Sequence, residues 1–183
     1  MRSKASITQK LMLPLLAMLK KRVRQEMVNK KENVWDFPRP AICEPFNGSL
    51  EVVVSGRVIA KTDRGFRSLE TSHPPSYYIP PDDIEMADLL YNQRVTLCEW
   101  KGKASYFNFK LGDRSIADIA WTYTDPTPTF SKIKNYLSFY APKVDACYVN
   151  GEEVLAQDGD FYGGWITKHL VGPFKGGQGT AGW

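Results

Sequence analysis

From Trp35 onward, apolar positions recur mostly at every second residue and are interrupted by turn residues at short intervals. That is the pattern of half-buried strands. In Tyr106–Leu111, Tyr106, Asn108 and Lys110 alternate with Phe107, Phe109 and Leu111, so one strand face is apolar. Leu50–Val54 and Arg57–Lys61 flank Ser55-Gly56, a two-residue turn that accepts positive φ. Asn150-Gly151, between Ala146–Val149 and Glu152–Leu155, is the strongest hairpin signal. Arg67–Thr71, Tyr77–Ile79, Arg94–Leu97 and Ser115–Tyr123 read as further extended runs. One segment changes period. Ile133, Tyr136, Leu137 and Tyr140 recur at helical spacing behind a Thr129 or Ser131 cap and stop at Pro142, which predicts one core helix near 130–141. A second, Pro-broken helix is read over residues 6–30. Together these elements predict a mainly β domain bordering on α+β: a small rolled sheet or barrel-like arrangement of short antiparallel strands with the helix on one side. Long βαβ units are missing from the pattern, which disfavours a doubly wound nucleotide-binding sheet.

Composition adds two things. The 183 residues suit one domain, and 9 Phe, 9 Tyr and 5 Trp make it aromatic-rich, a bias towards strands and stacking surfaces. The formal charge of +4 is unevenly spread. Residues 1–32 carry nine Lys/Arg against Glu26 and Glu32, whereas 33–183 carry more acidic than basic residues. The chain therefore divides into a basic extension (1–32), a β-rich core (33–157) and a Gly/Trp-rich tail (158–183). A mildly acidic core makes nucleic acid an unsuitable partner. The apolar run Leu11–Leu19 is too short to span a bilayer core, which needs roughly 20 helical residues. For residues 1–26 a weak interfacial helix or an organelle-type leader stands against a functional chain that starts at Met27, with the latter favoured. Cys43, Cys98 and Cys147 are widely spaced and lack C-x-x-C spacing, so neither a disulfide framework nor a zinc knuckle is expected. A reducing, cytoplasmic setting is the simplest reading. The tail is read as loose or as draped over the domain or a neighbour, with equal weight.

Three segments could carry chemistry. In Glu70-Thr-Ser-His73-Pro-Pro-Ser-Tyr77-Tyr78-Ile-Pro80, consecutive prolines hold His73 in a defined direction, as a general acid or ligand-gripping imidazole requires, and Glu70 can orient the ring. In Cys98-Glu-Trp100-Lys101-Gly102, glycine lets the backbone approach a ligand while the Lys101 ammonium reads an anion; Trp100 and Tyr106 offer flat faces. In Ala120-Trp121-Thr-Tyr123, Trp121 and Tyr123 share a strand face. Each segment also has a plain structural explanation as core or tight loop. Converged, they make a ligand site with Glu70 and His73 as acid/base pair, and with Arg67, Tyr78, Trp100, Lys101, Tyr106 and Trp121 binding a small anionic or nucleotide-like ligand.

The motifs His-Pro-Pro-x-Tyr-Tyr-x-Pro, Cys-x-x-Lys-Gly-x-Ala-x-Tyr and Ala-Trp-x-Tyr-x-x-Pro, with Tyr136–Tyr140 and Asp145 behind them, resemble the domain-of-unknown-function family numbered 427 over about residues 34–155. The tail is similar to that of a cyanobacterial and plant branch. The resemblance implies a compact, mainly β domain. Its nucleotidyltransferase-like label implies nucleotidyl transfer but transfers no catalytic residues; of the residues here, Glu70 or Asp118 with magnesium would have to serve, although the Gly-Ser turn is not followed by an Asp-x-Asp pair. No resident metal is expected from the residues themselves. The functional alternatives are thus a ligand-binding domain, a non-catalytic interaction module using the tail, and a nucleotidyltransferase.

Overall fold

The computed structural model describes residues 31–183. Fifteen strands follow in order: β1 (Glu32–Asn33), β2 (Ile42–Pro45), β3 (Leu50–Val54), β4 (Arg57–Thr62), β5 (Phe66–Leu69), β6 (Ser76–Tyr78), β7 (Leu89–Cys98), β8 (Gly102–Leu111), β9 (Arg114–Tyr123), β10 (Leu137–Phe139), β11 (Ala146–Val149), β12 (Glu152–Glu153), β13 (Leu155–Ala156), β14 (Trp165–Ile166) and β15 (Leu170–Val171). Two four-stranded antiparallel sheets dominate, in the orders β12-β11-β3-β4 and β10-β9-β8-β7. A three-stranded sheet, β2-β5-β6, joins the second through an Ile79–Leu137 bridge. The domain is mainly β, as the alternation predicts, but these sheets do not close into a barrel. Both hairpin turns are where the sequence puts them: Ser55 and Gly56, and Asn150 and Gly151, all have positive φ.

The main core lies where the two large sheets face each other. Leu50, Val52 and Val54 alternate inward from β3 and meet Phe107, Phe109, Ile119 and Phe139. A second cluster covers the opposite face of β8 and β9, with Ala104, Tyr106, Trp121 and Tyr123 packed against Tyr78, Phe130 and Tyr140. Register makes this second face continuous: Tyr106 pairs with Trp121 and Ala104 with Tyr123. Both faces of the β8–β9 ribbon are thus occupied, one by core and one by a layer that includes the site described below.

The helix expected near 130–141 is not formed. Pro128–Ile133 makes a 3-10 turn, Asn135 takes φ 64°, and Leu137–Phe139 then pairs with Ala120–Thr122 as β10. A left-handed residue halts helical propagation. Leu137, Ser138 and Phe139 are all buried, so the strand shows no two-residue alternation and its apolar positions mimic a helical period. The other predicted helix, residues 6–30, lies outside the described residues.

The tail is built into the domain. Trp165 is fully buried, its indole N–H donates to Phe139 O at 2.9 Å and its ring tilts against Tyr77. β14 pairs with β13, so Leu155 leaves the predicted hairpin arm to meet Ile166. β15 runs parallel to β1. No helix among the described residues is long and apolar enough to cross a membrane.

Candidate functional site

His73 is set by hydrogen bonds on both sides of its loop. Its N–H donates to Glu70 O at 3.0 Å, closing a turn in which Ser72 adopts φ 69°. A positive φ at a non-glycine residue costs on the order of 1–3 kcal/mol, so surrounding contacts must hold it. They do so: Ser72 N–H donates to Val34 O, and Lys175 N–H of the tail donates to Ser72 O at 2.8 Å. The tail also grips the proline pair, with Trp165 N–H donating to Pro75 O at 2.9 Å.

The Lys101 loop is anchored from the stiff exit of β9. Thr127 N–H donates to Lys101 O at 3.2 Å, and the Thr127 hydroxyl donates to Trp100 O. Gly102 takes φ 96°, in the left-handed region, with Asp125 O at 3.4 Å from where a Cβ would sit. A side chain here would be strained and crowded.

These segments and the tail enclose one cavity of about 350 Å³. Glu70, His73, Tyr78, Trp100, Lys101, Tyr106 and Trp121 all line it. Arg67, expected to neutralise the ligand, does not. Its guanidinium forms a fork to Glu32 at 2.7 and 2.9 Å and meets Glu44 at 2.7 Å. Burial alone would lower its pKa, but the Glu32 and Glu44 bonds raise it above the ordinary arginine range. Arg67 is committed to binding the β1, β2 and β5 segments together.

Tyr123, singled out in the sequence only for sharing a strand face with Trp121, also lines the cavity, and the sequence pattern leaves out several further lining residues: Arg39, Tyr140, Gln157, Phe161, Tyr162 and Lys175. Four of these come from residues 157–175, whose glycine-rich text predicts no fixed placement. The signal that was there is Lys175, a lone cation between Phe174 and Gly176-Gly177.

The cavity is rich in cations and donors. Lys101 is only 8% exposed, with Cys98 Sγ at 3.8 Å and the Phe130 ring at 5.2 Å as its contacts. Among the described residues, no carboxylate lies within ion-pair distance of it. Lys175 is equally buried, and its ammonium donates to Trp183 O. Tyr78 is fully buried and its hydroxyl has no hydrogen-bond partner among the described residues; the Trp121 indole is near enough to influence it but outside hydrogen-bond geometry. Burial drives its pKa well above the usual phenol value, so it is a neutral hydroxyl.

Glu70 Oε1 accepts from the Trp100 indole N–H at 3.0 Å and faces Arg39 at 3.7 Å and His73 Nε2 at 3.9 Å. Burial lowers the His73 pKa from 6.5 to about 4; Glu70 opposes this, while Lys175, Lys101 and Arg39 reinforce it. The imidazole is neutral at pH 7. A pocket of this chemistry can hold an oxyanion against Lys101 and Tyr78 and a ring against Tyr106, Trp121 or Trp100.

Magnesium coordination does not fit the donors. Asp118 is outside the cavity, held by Arg94 at 2.7 Å and Asn92 at 2.7 Å. Glu70 stands among N–H donors. Among the described residues, no group of three His, Cys, Asp or Glu is placed to share an ion. Cys43 and Cys147 are inert thiols, with burial raising Cys43 to about 11 and Cys147 further. All three cysteines are free.

A comparison with curated proteins finds no match. Residues 42–150 match the family described as a domain of unknown function (DUF427), whose short name, NTP_transf_9, denotes nucleotidyl transfer. That span contains the His73, Lys101 and Trp121 segments and ends before the tail residues that complete the cavity. The match covers more than half of the chain, which therefore belongs to the DUF427 family.

Proposed function

We propose that this domain binds a small anionic ligand carrying a flat ring, of nucleotide-like chemistry, in the cavity between the His73 turn, the Lys101 loop, the β8–β9 face and the tail. The observation that carries the reading is Lys101: a residue 8% exposed whose ammonium has no carboxylate partner among the described residues, lining the same cavity as Tyr78, whose hydroxyl has no hydrogen-bond partner among them. A buried, unpaired charge costs several kcal/mol, and a bound anion offsets that cost. Aromatic walls supply the stacking surface, and Glu70 and His73 are the acid/base candidates for any chemistry on the ligand. An interaction module that uses the tail to reach a partner is disfavoured, because Trp165 is in the core.

Thermal denaturation with nucleotides and other ring-bearing anions, each beside its uncharged counterpart, tests this. A ligand at 100 times its Kd stabilises by about 2.7 kcal/mol. For a chain of this size that raises Tm by about 5–10 °C. Lys101→Ala is expected to fold and to lose most of that shift. An equal loss of Tm without ligand would make Lys101 a structural residue and remove the basis for the proposal.

A further inference from the structure

The buried side chain of Gln157 bears on His73 in a way that fixes its chemistry. Its Oε1 accepts from Gly164 N–H at 3.0 Å and its Nε2 donates to Lys175 O at 2.7 Å. Turning the amide over would set oxygen against oxygen and N–H against N–H, so its orientation is forced. Nε2 also stands 3.3 Å from His73 Nδ1. The atom facing Nδ1 is thus a donor, and Nδ1 must accept.

We propose that Gln157 is a positioning residue that locks His73 as its Nε2–H tautomer, so the imidazole meets a bound ligand as a neutral hydrogen-bond donor and Glu70 remains the acceptor of the pair. This deepens the ligand-site reading above and rests on it for the word ligand alone. The ring is neutral at pH 7, which leaves one proton to place, and Gln157 places it on the nitrogen facing Glu70. That separation, 3.9 Å, is too long for a direct hydrogen bond. It suits a bridging oxygen that accepts from Nε2–H and donates to Glu70, as a hydroxyl does. Such an arrangement makes His73 a neutral hydrogen-bond donor to the ligand oxygen and leaves Glu70 as the only proton acceptor, the base, of the pair. Gln157, Gly164 and Lys175 all lie beyond the family-matched span, so the proton position of a residue inside that span is set by Gln157 at the end of the core, with Gly164 and Lys175 of the tail fixing its amide.

The chain has two histidines, His73 and His169, so nitrogen NMR of the ¹⁵N-histidine-labelled full chain reads the tautomer directly. The ligand-free protein at pH 7 should show Nδ1 as pyridine-type and Nε2 as pyrrole-type for His73, with His169→Gln giving the assignment. Gln157→Glu replaces the donor with an acceptor and should move the proton to Nδ1; Gln157→Met should give a tautomer mixture. A purely structural Gln157 would lower Tm in both variants without changing the ring-nitrogen pattern, which would overturn the proposal. So would Nδ1–H in the wild type, a result that needs no variant to fold. The two readings fail separately. An Nε2–H ring in a chain that no anion stabilises sinks the ligand site alone, while an Nδ1–H ring in an anion-stabilised chain sinks this inference alone.

Discussion

Tyr78 and Lys101 are each held in a state the isolated fold would be more stable without. The hydroxyl of Tyr78 is buried without a partner among the described residues, and an unsatisfied buried polar group costs about 1–3 kcal/mol. Tyr78→Phe is therefore expected to leave the urea midpoint unchanged or raise it, while weakening anion binding. Lys101→Met should behave the same way, since it keeps the apolar stem and removes an unpaired charge. A lower midpoint in Tyr78→Phe would mean that its hydroxyl has a partner in the folded chain, and in Lys101→Met that the Cys98 Sγ and Phe130 contacts outweigh the cost of the buried charge.

His73 gives a pH signature. Its folded pKa of about 4 lies below its ordinary 6.5, so between these values the unfolded chain binds more protons. Stability then rises with pH across that window and is lost as pH falls from about 6.5 to about 4. The upper bound is about 3 kcal/mol. Urea denaturation of wild type and His73→Gln at pH 7 and 4.5 isolates it, because the variant lacks that part of the slope. Parallel curves would contradict a buried, neutral imidazole.

At the scale of elements, strands edged by two-residue turns were readable because their signal is local. Ser55-Gly56 and Asn150-Gly151 take the positive φ values their types allow. The 130–141 segment carries a helical spacing without forming a helix because β10 is buried on both faces, and its apolar spacing reflects tertiary cover. The tail was unreadable for the same reason: two-residue strands such as β14 exist only because β13 and Pro75 are there to pair with. Gly163 passes so close to the Trp121 ring that a Cβ would overlap it, which ties the tail to the cavity wall. The anchor is Trp165. Trp165→Ala should cost about 3–5 kcal/mol by chemical denaturation. It should also raise amide exchange across 157–175; a small, local effect would mean the tail is held elsewhere.

For the molecule as a whole, what the sequence could not supply was the direction of each charged side chain. Arg67 and Lys101 look alike as isolated cations beside aromatic strands. Glu32 and Glu44 claim Arg67, whereas Lys101 is turned inward with a thiol and a phenyl ring for company. The Pro-Pro and Lys-Gly segments were legible as rigid loops, and the fold brings both to one hollow that the tail then covers. Neutralisation of the Lys101 charge by a bound anion, in a hollow where no carboxylate of the described residues pairs with that charge, is what the proposed function requires. Its most direct test is calorimetric titration of the full chain with a nucleoside monophosphate panel, each beside its uncharged nucleoside, repeated on Lys101→Met. Binding that requires the phosphate and disappears in the folded variant is the expected result. Equal heats for charged and uncharged partners, or phosphate-dependent binding that survives in Lys101→Met, would contradict it.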